Sequence, residues 1–141
     1  MPPAALIDTG PIVAMLDGED YWHRACVQAL QSVRTPVFTT EAVLTEAFHL
    51  IGSNSHFVQR LWTFIRSGAV TVKEISDRDL PALHSLMTKY GDCPMDFSDA
   101  TLVHIANLET TNVILTVDFS DFETYRLRGN KRFNMLPGRQ Q

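Results

Sequence analysis

With 141 residues, of which 45% are hydrophobic and 20% charged, the chain has the size and composition of one globular domain, and we predict a single domain over 1–141. The formal net charge of −4 excludes a globally basic surface, so any binding of nucleic acid requires a local patch of positive charge. The two cysteines form no CxxC pair, and no apolar stretch approaches the roughly 20 residues of a membrane span, so we expect a reduced, cytoplasmic protein.

Strand and helix signals alternate along the chain. In chain order, the predicted elements are a strand at 4–7, a helix ending near 16, a helix over 21–33, a strand at 36–39, helices over 40–51 and 54–68, a strand at 69–74, helices over 79–90 and 96–108, and strands at 113–117 and 132–136. Thr40, Asn54, Asp79 and Asp96 are the predicted helix caps. This alternation is typical of an α/β fold in which a central parallel sheet is sandwiched between helices.

Two acidic residues follow predicted strands directly. Asp8 ends the apolar run at 4–7, and Asp118 ends the run at 113–117. Ligands of open parallel sheets bind beyond the carboxyl ends of the strands, so both acids are candidate site residues. Each also has a purely structural explanation, since Asp8 suits a turn or a helix cap and Asp118 suits a helix start.

Two further acids fall on the apolar stripes of predicted helices. Glu46 shares helical spacing with Val43, Ala47 and Leu50. The helix dipole already explains Glu41 in the first turn. Asp99 also lies on the apolar side of its predicted helix. The structural alternatives are a Glu46 side chain that reaches water from the edge of its face and an Asp99 that serves as a first-turn acid.

A fold that gathers these four acids must compensate their charge. Like charges in one place repel, and burial disfavours the charged form of a carboxylate. Asp8, Glu46, Asp99 and Asp118 would therefore need protons or a hard cation to hold them together. The set predicts a divalent-metal site and metal-assisted phosphate chemistry.

The segments that carry these acids resemble the PIN-domain ribonucleases, and among them the VapC-type toxins of bacterial type II toxin–antitoxin pairs. The segments are LIDTGPIVAMLD (6–17), TTEAVLTEAFHLI (39–51), MDFSDATLVHIA (95–106) and ILTVDFSDFETYR (114–126). Their order and spacing extend the resemblance over nearly the whole chain. It implies a single PIN-like domain with α/β/α layers that acts in the bacterial cytoplasm as an endoribonuclease dependent on Mg²⁺, with Mn²⁺ as a substitute.

The resemblance also implies roles for single residues. The family's four catalytic acids fall on the four acids named above, with Asp8 and Asp99 as the direct metal ligands. Asp96 matches an auxiliary acid, and Thr116 matches a Ser or Thr position that bonds to an active-site carboxylate. The implied reaction is hydrolysis of structured RNA, in tRNA or rRNA loops, by metal-activated water, leaving a 5′-phosphate and a 3′-hydroxyl. The implied partners are a second copy of the chain and a small VapB-like, DNA-binding antitoxin.

The C-terminal segment supplies positive charge that the chain lacks globally. Its candidate RNA-binding residues are Arg126, Arg128, Lys131 and Arg132. A solvated terminal face explains them equally well. Nearby aromatic residues such as Tyr125 either stack on bases or pack in the core, and packing is the favoured interpretation. The five histidines show no zinc-ligand spacing and are expected at surface or half-buried helix positions.

Other classes of protein also place acids at strand ends. A receiver-like signalling module needs paired acids after its first strand and a lysine after its last, but Asp8 is followed by Thr9 and no lysine follows 113–117 until Lys131. A phosphohydrolase with an aspartate nucleophile usually has DxD after its first strand, and this chain lacks the second acid. A stand-alone RNA-processing enzyme and a catalytically silent PIN scaffold remain as alternatives within the same fold.

Overall fold

A computed structural model describes residues 4–93 and 95–139. The strands are β1 (Ala5–Ile7), β2 (Val37–Thr40), β3 (Thr71–Lys73), β4 (Val113–Leu115) and β5 (Asn134–Leu136). The helices are α1 (Thr9–Leu16), α2 (His23–Ser32), α3 (Glu41–Ile51), α4 (Ser55–Arg66), α5 (Leu80–Lys89), α6 (Phe97–Glu109) and α7 (Phe119–Thr124). The predicted α/β class is confirmed, and most strands are shorter at their ends than the sequence pattern indicated.

All five strands are parallel and lie in the order β3-β2-β1-β4-β5. Leu6 of β1 lies opposite Phe38 of β2 on one side and Ile114 of β4 on the other. From β1 the chain builds outward to β2 and β3, then returns to the opposite side of β1 to form β4. The order of connection therefore reverses between β1 and β4, and crevices at such reversals are where open α/β sheets bind ligands.

The core explains why the central strands are continuous apolar runs. Leu6, Ile7, Ile114 and Leu115 are fully buried, because helices cover both faces of the parallel sheet. Helix α6 is buried along its length from Ser98 to Ala106. By contrast, β3 is an edge strand and is largely exposed. In the described ranges, no helix is long and apolar enough to cross a membrane.

The predicted cap of α5 is wrong in its detail. Asp79 precedes α5 but makes no side-chain capping bond to that helix. Its carboxylate instead accepts from the backbone N–H of Ser76 at 2.8 Å and lies 2.9 Å from Nε2 of His104 on α6. These hydrogen bonds, the one from Ser76 first, lower the pKa of Asp79 to about 2. His104 is buried, contrary to the expectation for the histidines, and the pair ties α5 to α6.

Gly10 marks a close approach between α1 and the loop after β4. A Cβ atom built on Gly10 would lie 2.6 Å from Cγ2 of Val117. We expect Gly10→Ala to lower the free energy of unfolding by about 1 kcal/mol, because overpacking outweighs the better helix propensity of alanine. In a Val117→Ala background, the same change should raise stability. Denaturant titration of the four proteins measures this cycle.

Gly18 supplies the matched control for that cycle. A Cβ atom on Gly18 meets nothing within 4 Å, so Gly18→Ala is expected to leave stability almost unchanged. An equal cost of Gly10→Ala in both backgrounds would contradict the contact with Val117.

Candidate functional site

Asp8 lies where β1 passes into α1 and is only 8% exposed. Its Oδ1 accepts the backbone N–H of Thr9 at 2.8 Å, and its Oδ2 accepts the hydroxyl of Thr116 at 3.1 Å. The pKa of Asp8 is raised to about 6. Burial is the largest cause, the charges of Glu46 and Asp118 also raise the pKa, and the two hydrogen bonds lower it. Asp8 is thus a helix cap, as its structural interpretation predicted, and also a buried carboxylate with a raised pKa. Its role as a site residue stays a prediction.

Asp99 lies in the first turn of α6 and is only 7% exposed. Its backbone N–H donates to Oδ1 of the N-cap Asp96 at 2.8 Å, as predicted for that cap. Its Oδ2 accepts the hydroxyl of Tyr125 at 2.7 Å. Burial raises the pKa of Asp99 to about 8, with further contributions from the charges of Asp8, Asp96 and Asp121. A first-turn acid that only interacted with the helix dipole would be exposed, so the dipole alone does not explain the burial of Asp99.

Glu46 is exposed, and its expected place on the buried stripe of α3 is wrong. The buried line of α3 runs through Val43 and Ala47, and Leu50 is 57% exposed, so the stripe turns away from the core at Glu46. The Glu46 carboxylate still lies near Asp8, because its Oε2 is 3.5 Å from Oγ1 of the next residue, Thr9, and its charge raises the pKa of Asp8. Glu46 therefore borders the site from the solvent side.

Asp118 is also exposed and borders the site from the opposite strand. It stands at the N-terminus of α7 but makes no side-chain capping bond, so the alternative of a plain helix cap has no support in the geometry. Its backbone N–H donates to Oγ1 of Thr116 at 3.0 Å. The same hydroxyl of Thr116 donates to Asp8, so Thr116 connects the two acids. Partial burial, followed by hydrogen bonding to Asp118, raises the pKa of Asp121 one turn later.

Electrostatic interactions connect these acids through Asp8. The pKa of Asp8 responds to Glu46 and Asp118, and the pKa of Asp99 responds to Asp8 and Asp96. Among the described residues, no group of three or more His, Cys, Asp or Glu side chains is arranged to hold a metal ion. A Mg²⁺ ion needs only one or two protein carboxylates besides water and substrate oxygens. An all-oxygen donor set with two buried carboxylates suits that ion chemically.

Sequence reasoning missed three side chains at this site. Tyr125 is 1% exposed and bonds to Asp99, so it packs in the core as favoured and is unavailable for stacking on bases. Thr9 donates toward Glu46, and Asp121 adds a further acid next to Asp118. One signal was present, because Asp121 follows Asp118 by three residues at the start of α7.

Two of the four basic C-terminal candidates, Arg128 and Lys131, lie at the end of the sheet opposite the acids. Nη1 of Arg126 donates to the carbonyls of residues 123, 124 and 125, so it caps the end of α7. Arg128 and Lys131 line a cavity of about 620 Å³ with Asn112, which directly precedes β4. That is the amino end of the sheet, whereas the acids follow the carboxyl ends. Arg132 is exposed, and contact of this segment with RNA stays a prediction.

Comparison with known proteins gives the family of this chain. The sequence pattern of the PIN domain matches residues 5–126. The chain is 25% identical over 134 residues to Ribonuclease VapC26 of Mycobacterium tuberculosis, covering 94% of this chain and 99% of that protein.

Solved structures show the same fold at lower identity. VapC20 of Mycobacterium tuberculosis, a sarcin–ricin loop cleaving toxin, aligns with a TM-score of 0.73 at 19% identity over 84% of this chain and 94% of that one. A toxin–antitoxin complex from Klebsiella pneumoniae gives 0.67 at 21% identity over 86% and 92%. VapBC2 of Rickettsia felis, bound to a fragment of its promoter DNA, gives 0.66 at 12% identity over 94% and 98%. The chain therefore belongs to the PIN-domain family, and its resemblance to the VapC-type nucleases of that family is confirmed.

Proposed function

We propose that this PIN-domain protein is a Mg²⁺-dependent endoribonuclease, with Mn²⁺ as a substitute cation. The observation that carries the proposal is the pair Asp8 and Asp99. Both carboxylates are more than nine-tenths buried at the point where the sheet order reverses, and each has a strongly raised pKa. Buried carboxylates with strongly raised pKa values in a crevice are typical of functional sites, because the charge and burial that raise the pKa also suit the binding of a cation.

We assign the residues of the site to three groups: metal ligands, side chains that hydrogen-bond to those ligands, and acids at the exposed edge of the site. Asp8 and Asp99 would hold the cation, with Asp96 as an auxiliary acid. Thr116 fixes one oxygen of Asp8, and Tyr125 fixes one oxygen of Asp99. Burial, followed by its hydrogen bond to Asp99, raises the pKa of Tyr125, so its hydroxyl remains a hydrogen-bond donor at physiological pH.

The exposed acids then meet the solvent and the substrate. Glu46 lies near Thr9 on one side of Asp8, Asp118 lies near Thr116 on the other, and both acids would orient water beside a phosphodiester. A bound divalent cation supplies charge stabilisation of the phosphate and lowers the pKa of coordinated water. The expected products carry a 5′-phosphate and a 3′-hydroxyl.

We further propose that the protein is the toxin of a VapBC-type pair, acting in the bacterial cytoplasm on exposed loops of structured tRNA or rRNA. The family match, the ribonuclease relative and the solved toxin structures support this assignment. One partner would be a small DNA-binding antitoxin, which the toxin–antitoxin complexes from Klebsiella pneumoniae and Rickettsia felis support. The other would be a second copy of the chain.

Cleavage of total bacterial RNA by the purified, antitoxin-free protein tests the proposal. We expect discrete cuts with Mg²⁺ or Mn²⁺, none with EDTA, and a loss of at least about a hundredfold in Asp8→Asn. Asp92→Asn is the matched control, because Asp92 is an exposed acid in the turn after α5. Mapping both ends of each product identifies the chemistry.

Three results would overturn the assignment. A cyclic phosphate among the primary products would exclude hydrolysis by water. Absence of cleavage by a folded protein with either cation would favour the silent scaffold, and cuts that only trim precursors would favour a stand-alone processing enzyme.

A further inference from the structure

Tyr125 is a buried aromatic residue whose polar end reaches one of the two buried acids of the site. Its side chain is 1% exposed, and its hydroxyl donates to Oδ2 of Asp99 at 2.7 Å. Such a bond orients a carboxylate, because rotation of the carboxylate about its last single bond would lengthen and bend the hydrogen bond. The orientation of Asp99 on α6 therefore depends on a residue that follows α7.

Packing in turn fixes the position of Tyr125. Its ring meets those of Tyr90 and Phe122 edge-on, with ring centroids 5.1 Å and 5.2 Å away. Pairs of this geometry add stabilisation beyond the burial of their area. The hydroxyl of Tyr90 also accepts the backbone N–H of Arg126 at 2.8 Å, which holds the chain directly after Tyr125. The Tyr125 hydroxyl therefore cannot follow Asp99 if that side chain rotates, and it acts as a fixed donor.

The two oxygens of Asp99 have different surroundings. Oδ2 accepts the Tyr125 hydroxyl in the interior. Oδ1 accepts no hydrogen bond within the described ranges, yet it is not enclosed, because Oγ of Ser98 is the one enclosed side-chain polar atom there without a partner. One oxygen of Asp99 is thus held by the protein, and the other is open to a cation in the crevice.

Divalent cations differ in how they use a carboxylate. Mg²⁺ demands nearly octahedral coordination at about 2.0–2.1 Å, and the narrow angle between the two oxygens of one carboxylate does not fit the right angles of an octahedron. Ca²⁺ takes about six to eight oxygens at roughly 2.3–2.6 Å and readily accepts a carboxylate through both of them. A carboxylate that can offer only one oxygen therefore favours Mg²⁺ over Ca²⁺.

We propose that Tyr125 is a positioning residue that makes the site selective for Mg²⁺ over Ca²⁺. Its hydroxyl holds Oδ2 of Asp99 in the interior, so Asp99 presents only Oδ1 to the cation. The proposal rests on the cation site proposed above and adds which cations that site accepts. The selectivity then comes from a residue that contacts neither the cation nor the substrate.

Calorimetric titration of the RNA-free protein with Mg²⁺ and with Ca²⁺, at one pH, tests this role. We expect wild type to bind Mg²⁺ more tightly than Ca²⁺, and Tyr125→Phe to lower the ratio of the two affinities about fivefold, chiefly through tighter binding of Ca²⁺. The ratio isolates geometry, because the lost hydrogen bond changes the charge density and proton affinity of Asp99 alike for two ions of equal charge. Phenylalanine keeps the ring that packs in the core.

Two other tyrosines supply matched controls. Tyr21→Phe removes a hydroxyl from a side chain that is 79% exposed and should leave both affinities unchanged. Tyr90→Phe removes the acceptor of the Arg126 N–H, so it should lower stability, but it should keep the ratio of affinities because the Tyr125 hydroxyl still reaches Asp99. A merely structural role of Tyr125 would give the same result as Tyr90→Phe.

The outcomes separate this role from the proposed function. An unchanged ratio in a folded Tyr125→Phe protein would overturn the role of Tyr125 and leave the cation site in place. Tighter binding of Ca²⁺ than of Mg²⁺ by wild type would also overturn it, and this arm decides the question if Tyr125→Phe does not fold. Failure of wild type to bind either cation would overturn the cation site and the role of Tyr125 together.

Discussion

Asp99→Asn is expected to stabilise the metal-free protein while it removes cleavage activity. Folding raises the pKa of Asp99 from 3.8 to about 8, chiefly through burial. Between those values the folded protein holds a proton that the unfolded chain releases, so the stability contributed by this group is present below about pH 4 and is lost as the pH rises through about 8. Asparagine cannot ionise, and its side-chain oxygen can still accept the hydroxyl of Tyr125.

The expected gain at pH 8 is on the order of 3 kcal/mol in the free energy of unfolding, given about 1.36 kcal/mol per pKa unit and partial relaxation of the site. The difference between variant and wild type should shrink as the pH falls from 8 to 5. Denaturant titrations in EDTA at both pH values measure it. Asp8→Asn should show the same sign with a smaller gain, because the pKa of Asp8 is raised only to about 6.

Asp92→Asn again provides the control and should change stability little at either pH, as expected for an exposed acid. A variant of Asp99 that is less stable than wild type at pH 8 would show that its hydrogen bonds outweigh its desolvation. Loss of cleavage together with a gain in stability would show that Asp99 is retained for function at the expense of the fold.

The positions of Asp8 and Asp118 follow from local sequence alone. Each acid comes after an apolar run short enough to be a buried strand, and parallel strands end at the same edge of a sheet. The order of strands then puts β1 next to β4, so the two loops meet through Thr116. No packing detail is needed for this step, which explains why the pattern was sufficient.

The exposure of Glu46 could not be predicted from the sequence, for a physical reason. Helical spacing shows which residues share a face, but the angle between a helix and the sheet decides where along that face burial ends. On α3 the buried line includes Val43 and Ala47, and it leaves Glu46 at the rim. Whether an acid on a helix is buried or lies at the edge of the site depends on tertiary packing. Asp99 is buried because α6 itself is buried from Ser98 to Ala106.

The positions of Arg128 and Lys131 could not be predicted from the sequence either, because they depend on the path of the chain between two strands. Arg128 and Lys131 are close to Asp118 in sequence, and charge alone made them candidates for contact with substrate. Helix α7 and the turn after it carry the chain back to the amino end of the sheet before β5 begins, so both residues lie at the edge opposite the acids. Sequence proximity fails here because a parallel strand must start where its neighbour starts.

Added Mg²⁺ is expected to stabilise the wild-type protein at pH 8 and to leave Asp8→Asn and Asp99→Asn nearly unchanged. A ligand that binds only the folded state at about 100 times its Kd raises the free energy of unfolding by about 2.7 kcal/mol. Burial is the largest cause of the raised pKa values of both carboxylates, and a cation bound there would offset this unfavourable burial of charge. Thermal unfolding with and without Mg²⁺ measures the effect.

The pH dependence of that stabilisation distinguishes a bound cation from a general salt effect. A cation at Asp99 must displace the proton that its raised pKa retains, so the gain from Mg²⁺ should be larger at pH 8 than at pH 6. NaCl at equal ionic strength should give no comparable gain, and Asp92→Asn should respond to Mg²⁺ like wild type. Equal stabilisation of wild type and Asp99→Asn would contradict a cation held by Asp99. This measurement requires no RNA. If the protein binds Mg²⁺ at Asp8 and Asp99 but cuts no RNA, the metal site would stand and only the proposed substrate would be contradicted.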